Sequence, residues 1–113
     1  MMITTKKDTD WGTVWHINDE SGMFRFAVYI YDDDLDTLYL SNVYVANEHR
    51  GKGLGNKILE TAETIAKQLG VECLCLKAKT SGTAYKWYKR HGYTDLEVDE
   101  EDPTCMWMKK SVA

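Results

Sequence analysis

The chain has 113 residues with a formal net charge of −4, and 43% of its residues are hydrophobic. This length favours one domain over residues 1–113, the composition excludes a disordered chain, and the acidic balance argues against nucleic acid as a partner. No apolar run is long enough to span a bilayer, and the lysines near the start precede no apolar segment. We therefore expect a cytoplasmic protein without a membrane partner.

The three cysteines show no sign of a metal site or of a disulfide. Cys73 and Cys75 alternate along one predicted strand, where side chains on the same face cannot easily bridge each other. Cys105 stands apart, and the spacing of the three fits no set of metal ligands. We expect reduced cysteines in the core and no bound metal.

The first part of the chain is predicted to form strands. Residues 1–10 are polar and indicate a frayed end or a short edge strand. Trp11–Asn18 alternates between apolar and polar residues, while Met23–Tyr31 and Thr37–Val45 are rich in β-branched and aromatic residues. Short polar turns separate these segments, so we predict a meander of antiparallel strands.

A glycine-rich stretch follows the last of these strands. Gly51, Gly53 and Gly55 occupy every second position and are flanked by Arg50 and Lys52. Glycine lets the backbone turn its N–H groups inward, and the helix predicted to begin at Gly53 adds free N–H groups and the positive end of its dipole. The stretch therefore predicts a cradle for a phosphate or pyrophosphate.

The order of residues in this stretch distinguishes between phosphate-binding motifs. A Walker loop requires four residues between its glycines and then Lys with Ser or Thr, and a dinucleotide-binding fingerprint requires glycine where Asn56 stands. The chain instead contains Arg-x-x-Gly-x-Gly, formed by Arg50, Gly53 and Gly55. In this pattern, placed between a strand and a long helix, the chain resembles the GNAT superfamily of N-acetyltransferases. Members of that superfamily hold the pyrophosphate of acetyl-coenzyme A with this segment.

The rest of the chain alternates between helices and strands. The first helix has apolar residues at spacings of three and four up to Leu69 and ends at Gly70, a good stop signal. Because the next strand follows a helix, it can pair parallel with Thr37–Val45. The further predicted elements are a strand, a short helix and a closing hairpin, at Val71–Leu76, Gly82–His91, Tyr93–Val98 and Thr104–Lys110.

The short helix carries a second motif of the same family. Members commonly have Asn-x-x-Ala-x-x-x-Tyr-x-x-x-Gly-Phe, and this chain has Ala84, Tyr88 and Gly92 at that spacing, followed by Tyr93. Ser81 stands in place of the asparagine. The two motifs together imply an α/β fold with a mixed, mostly antiparallel sheet and two main helices.

The resemblance extends over residues 37–110, and the chain is reduced before that. Family members usually place a strand and two helices ahead of the meander, and the loop between those helices helps to shape the acceptor pocket. Here the preceding residues are predicted strands, so we expect the helical pair to be missing. The acceptor side is then open to solvent, completed by a second subunit in a homodimer, or suited to an acceptor that brings its own surface.

The resemblance implies direct transfer of an acetyl group from acetyl-CoA to a primary amine of a small molecule, peptide or protein. Tyr88 is then the general acid that protonates the departing thiolate, since a tyrosine keeps its proton at neutral pH. Backbone groups of two strand residues would hold the pantetheine arm of the cofactor. The residues implied to bind acetyl-CoA are Val43, Val45, Arg50, Gly51, Lys52, Gly53, Leu54, Gly55 and Ser81.

The general base and the acceptor are less clearly indicated. The positions at which family members carry a glutamate as general base fall on Thr37 and Leu76, which leaves the base unassigned and Asp36 as a weak candidate. The acidic clusters at Asp32–Asp36 and Glu97–Asp102 predict a cationic acceptor, provided that one of them borders the cleft.

Two other functions stay open from the sequence. A non-catalytic acyl-CoA-binding module is favoured by the missing N-terminal helices and disfavoured by Tyr88. A transferase acting on aminoacyl-tRNA is disfavoured by the net acidity, because affinity for RNA depends on neutralising its phosphates.

Overall fold

The structure, a computed structural model, describes residues 2–51 and 53–113. Within these residues seven strands form one sheet in the order β1-β2-β3-β4-β5-β7-β6, and neither of the two α-helices is long and apolar enough to cross a bilayer. The elements in chain order are β1 (Met2–Asp8), β2 (Gly12–Asp19), β3 (Phe24–Tyr31), β4 (Asp34–Val45), α1 (Leu54–Leu69), β5 (Cys73–Lys79), α2 (Thr83–Arg90), β6 (Thr94–Val98) and β7 (Cys105–Ser111).

The first four strands form the predicted antiparallel meander. β1 pairs with β2 over its whole length, from Met2 opposite Asp19 to Asp8 opposite Thr13, so the first residues are an edge strand and not a frayed end. β2 pairs with β3 and β3 pairs with β4, also antiparallel. Every residue of β1 is exposed, as expected for a polar edge strand.

β5 and the closing hairpin complete the sheet. β5 pairs parallel with β4 and antiparallel with β7, and β6 lies outside β7 at the edge. The sheet is therefore mixed and mostly antiparallel, which confirms the predicted fold class. β5 begins at Cys73 rather than at Val71, because the N–H groups of Gly70 and Val71 still donate to the Ala66 carbonyl at the end of α1.

Both helices pack on the same face of the sheet. α1 buries Ile58, Leu59, Ala62 and Ala66, which form one stripe along the helix, against β3, β4 and β5. α2 has no fully buried residue and contributes half-buried aromatic side chains to the margin of this core. Since α1 follows β4 and α2 follows β5, the two helix N-termini lie at the carboxyl ends of the two parallel strands.

The opposite face of the sheet carries no helix in the part of the chain that the structure describes, as the missing helical pair predicts. Tyr29 and Tyr39 stack there with ring centroids 5.1 Å apart, and Trp107 meets Tyr39 edge-on at 5.8 Å. Trp11 and Tyr31 extend this aromatic cluster toward the turn between β3 and β4. We call this side of the sheet the uncovered face.

The cysteines are free thiols, and two of them lie in the core as predicted. Cys75 and Cys105 are buried, whereas Cys73 is half-buried at the start of β5, with its sulfur 3.8 Å from the Thr37 hydroxyl. Burial raises the pKa of the Cys75 thiol to about 12, so this thiol keeps its proton at neutral pH.

Candidate active site

A groove opens where β4 and β5 separate. The two parallel strands pair only from Thr37 opposite Cys73 to Tyr39 opposite Cys75. Beyond that point β5 stays paired with β7 as far as Lys79, while β4 follows β3. The sheet therefore does not use the backbone groups on this edge of β4 beyond Tyr39, and an extended ligand can pair with them.

A bulge in β4 lies beside this groove. Ala27 pairs with Ser41 and Arg25 pairs with Tyr44, so β4 carries an extra residue between the two pairs. Asn42 has a φ of 54°, a left-handed conformation that asparagine tolerates better than most residues. Side chains of a strand alternate between the two faces of the sheet, and the extra residue shifts this alternation in β4. The bulge therefore decides which of the last side chains of β4 face the groove.

The glycine stretch forms the predicted turn into α1. Gly51 and Gly53 have φ of 80° and 79°, and a Cβ on either residue would meet nothing within 4 Å. Gly53 is the N-cap of α1, and no side chain caps this end of the helix. The first N–H groups of α1 are therefore available to an anion. Lys52, the second predicted cation of the cradle, lies outside the described residues.

Arg50 connects the glycine turn to the end of β4. Its Nε donates a hydrogen bond to the Val45 carbonyl oxygen at 3.1 Å. Among the described residues its guanidinium forms no ion pair, so its other donors can bind an anion. A cavity of about 280 Å³ lies here, lined by the turn and its neighbours: Val45, His49, Arg50, Gly51, Gly53, Leu54, Gly55, Asn56 and Trp87.

A second cavity, of about 530 Å³, continues from the first between β4 and α2. The two cavities share Val45, Arg50, Gly55 and Trp87, and together they form what we call the β4–α2 groove. The second cavity is lined by Val43, Val45, Arg50, Gly55, Thr83, Ala84, Trp87 and Arg90. The groove thus joins the unpaired edge of β4 to the N-terminus of α1.

Trp87 forms the wall between the two helices. A Cβ on Gly55 would lie 3.2 Å from the Trp87 ring, so glycine is the residue that lets this indole approach α1. His91 fixes the arrangement from behind, with Nδ1 2.8 Å from the Trp87 carbonyl oxygen and Nε2 3.0 Å from Asn56 Oδ1. The two sequence motifs did not indicate Trp87, although its position three residues after Ala84 places it on the same side of α2.

Tyr88 lies one helical turn after Ala84, which lines the groove. Its half-buried ring lies 5.3 Å from Trp87 and 5.8 Å from Tyr93, centroid to centroid, at the margin of the core. Burial raises the pKa of Tyr88, so the phenol keeps its proton well past neutrality, as a general acid requires. Tyr88 is not among the residues lining either cavity, and its catalytic role stays a prediction.

The residues that line the groove at the two ends of α2 are not the one predicted from the sequence, which was Ser81. Ser81 is exposed in the turn before α2 and does not line the groove, whereas Thr83 does. At the other end, Arg90 lines the groove while Lys89 is turned away and pairs with Asp95 at 3.5 Å. Both Thr83 and Arg90 are groove residues that the sequence motif did not indicate.

The described groove contains no carboxylate that could act as a general base. Thr37 and Leu76 are buried, as their non-ionisable side chains allow. Asp36 is exposed near the other end of β4, roughly 20 Å from Val43 at the rise of an extended strand. Asp36 lines neither cavity of the groove, so the described residues give no support for it as the base.

A third cavity, also of about 530 Å³, lies on the uncovered face. It is lined by His16, Asn18, Arg25, Phe26, Ala27, Asn42, Val43 and Tyr44, and we call it the Arg25 cavity. Val43 lines both this cavity and the β4–α2 groove. The bulged end of β4 is therefore the boundary between the two sites.

Solved structures show the same fold in acetyltransferases. A GNAT family acetyltransferase from Elizabethkingia anophelis, with acetyl-CoA bound, matches with a TM-score of 0.72 at 12% identity and covers 97% of each chain. PaiA N-acetyltransferase from Thermoplasma acidophilum, in complex with coenzyme A, matches with a TM-score of 0.70 at 19% identity, covering 87% of this chain and 59% of that one.

Sequence comparison gives the same assignment independently of the fold. The chain is 28% identical over 110 residues to the uncharacterized N-acetyltransferase YdgE of Bacillus subtilis (strain 168), covering 92% of this chain and 69% of that protein. The model of the acetyltransferase (GNAT) domain matches residues 10–95, which include the glycine turn and the motif of α2. The chain therefore belongs to the GNAT family of acetyltransferases, as its two motifs predicted.

Proposed function

We propose that the protein is an N-acetyltransferase that moves the acetyl group of acetyl-CoA to a primary amine. The observation that carries this proposal is the β4–α2 groove, in which an unpaired strand edge leads to an uncapped helix N-terminus beside Arg50. These are the backbone and charge features that a pantetheine arm followed by a pyrophosphate requires.

Each part of the groove has a role in holding the substrate. The N–H groups of the glycine turn and of the first turn of α1 would bind the pyrophosphate, with Arg50 supplying the charge. Backbone groups at Val43 and Val45 would pair with the amides of the pantetheine arm, as an added strand does. Trp87 would close the side of the groove toward α2 and exclude water.

The transfer itself needs one nucleophile and one acid. A neutral amine attacks the carbonyl carbon of the thioester, and the tetrahedral intermediate collapses with cleavage of the C–S bond. The thiolate then takes a proton from Tyr88. The amine loses its own proton to water, because none of the described residues that line the groove is a carboxylate. The phenol is reprotonated from solvent after the products leave.

The strongest alternative is an acyl-CoA-binding module without transfer activity. The absence of a helix over the uncovered face in the described part of the chain favours it, because the acceptor side is left open. A transferase acting on aminoacyl-tRNA is less well supported, since the net charge of −4 opposes binding to a polyanion.

A transfer assay separates these functions. Purified protein is incubated with acetyl-CoA and panels of amino acids, polyamines, aminoglycosides and peptides, while released thiol and acetylated amine are measured in parallel. We expect thiol release that depends on the amine and equals the amount of acetylated product. Tight binding of acetyl-CoA without amine-dependent release from any panel would favour the binding module instead.

A further inference from the structure

We propose that the Arg25 cavity binds the carboxylate of the acceptor, so that the substrate is an amine that also carries a carboxylate group. This inference rests on the proposed transfer to an amine and names the class of that amine. It is carried by the position of Arg25 next to the end of the groove, by the absence of an acidic partner for it among the described residues, and by the chemistry of the cavity lining.

The Arg25 cavity lies where an acceptor must approach. Val43 is a wall of both the cavity and the β4–α2 groove, so a molecule in the cavity lies across β4 from a thioester in the groove. Arg25 pairs in the sheet with Tyr44, which is the residue after Val43 in β4. A volume of about 530 Å³ suits a small molecule or the end of a peptide.

The lining of the cavity is suited to an anion rather than to a cation. Arg25 is its one permanently charged side chain, and among the described residues no carboxylate lines it or pairs with this guanidinium. The other polar side chains of the lining are those of His16, Asn18, Asn42 and Tyr44, which can all donate hydrogen bonds. An acceptor that bore only positive charge would meet repulsion here.

Arg25 is also held in place before any ligand binds. Its guanidinium lies over the Tyr44 ring, 4.5 Å from the centroid. Stacking of this kind restricts the plane of the guanidinium and leaves its edge donors free to form the paired hydrogen bonds that a carboxylate accepts. Because one guanidinium supplies one positive charge in a chain of net charge −4, it matches a carboxylate better than a doubly charged phosphate.

The acidic clusters that predicted a cationic acceptor lie elsewhere. The Asp32–Asp36 cluster is at the other end of β4 from the bulge, and Asp99 of the second cluster forms an ion pair with Lys77 at 3.3 Å. Neither cluster lines the groove or the Arg25 cavity. These positions give that prediction no support at either site, and on our inference the amine of the acceptor is recognised beside an anion of the same molecule.

The test compares matched acceptors and matched variants. Each amino acid is paired with its own carboxamide and with its decarboxylated amine, and kcat/KM is corrected for the fraction of neutral amine. A hydrogen-bonded charge contributes about 1.5–3 kcal/mol, so we expect the carboxylate member to be preferred by roughly 10- to 100-fold. Arg25→Gln should remove this preference, and Arg25→Lys should keep part of it.

Two controls keep the inference separate from the proposed transfer. Lys109→Gln removes a charge from an exposed residue of the same uncovered face and should leave the preference intact. Coenzyme A affinity should be the same in all variants, because Arg25 does not line the groove. Equal use of all three acceptor types, or a preference unchanged by Arg25→Gln, would overturn the inference and leave the transfer proposal standing.

A direct measurement of carboxylate binding at Arg25 tests the inference even if no acetyl transfer is detected. Titration of amino acids into the protein, followed by the NMR signal of the Arg25 Nε–H group, should show saturable shifts that the carboxamides do not produce. If the protein transfers no acetyl group and the Arg25 signal does not shift with any carboxylate, both proposals are contradicted. If the protein binds coenzyme A but the Arg25 signal does not shift with carboxylates, only the proposed carboxylate site is contradicted.

Discussion

Gly53→Glu is expected to abolish coenzyme A binding while the protein stays folded. The glutamate side chain would project from the turn where the pyrophosphate is proposed to lie, adding both bulk and negative charge beside the first N–H groups of α1. The φ of 79° at Gly53 also disfavours any side chain, at a cost of about 1–2 kcal/mol. Calorimetry with coenzyme A, with circular dichroism on the same sample, measures the result.

Gly22→Glu is a closely matched control for this change. Gly22 has a φ of 77°, and a Cβ there would also meet nothing within 4 Å, but the residue lies in the turn between β2 and β3. The control introduces the same charge and a similar backbone strain in a turn that does not line the β4–α2 groove. We expect it to bind coenzyme A as the parent does. If Gly53→Glu binds coenzyme A as tightly as the parent does, the glycine turn is not the pyrophosphate-binding site.

Tyr88→Phe is expected to lower the turnover number by roughly 10²–10⁴-fold, the usual contribution of a positioned general acid. Coenzyme A affinity should change little, because the ring and its packing against Tyr93 are kept. Since burial raises the pKa of Tyr88, the parent should also show no loss of activity from its deprotonation at mildly alkaline pH.

Tyr85→Phe separates a catalytic hydroxyl from a structural one on the same helix. The Tyr85 hydroxyl donates to the Asp95 carboxylate at 2.8 Å, outside the β4–α2 groove, so its removal should affect thermal stability rather than turnover. If Tyr88→Phe turns over at the parental rate, Tyr88 is a residue of the core and the thiolate takes its proton from water.

The sequence was sufficient for elements whose causes are local. Gly70 ends α1 because its left-handed conformation at the helix end, φ of 75°, suits glycine, and this can be recognised without a structure. The glycine turn and the order of strand, helix and strand also predicted the parallel pairing of β4 with β5. The GNAT resemblance followed from the same local motifs.

Features that depend on tertiary contacts could not be predicted in the same way. The bulge at Asn42 depends on the register between β3 and β4, which neither strand encodes alone. Trp87 lines the groove because of the way α2 is rotated against α1. The hydrogen bond between His91 and Asn56 is part of the same contact between the two helices. The Arg25 cavity likewise joins residues of three strands.

Coenzyme A is proposed to bind along the unpaired edge of β4 and over the N-terminus of α1. The most direct test is an NMR titration of isotopically labelled protein with coenzyme A, followed residue by residue at the backbone amides. We expect saturable shifts at Val43, Val45 and Gly51–Gly55 and at the Trp87 indole, with β1 unaffected. Shifts confined to the uncovered face, or no shifts at saturating coenzyme A, would contradict it.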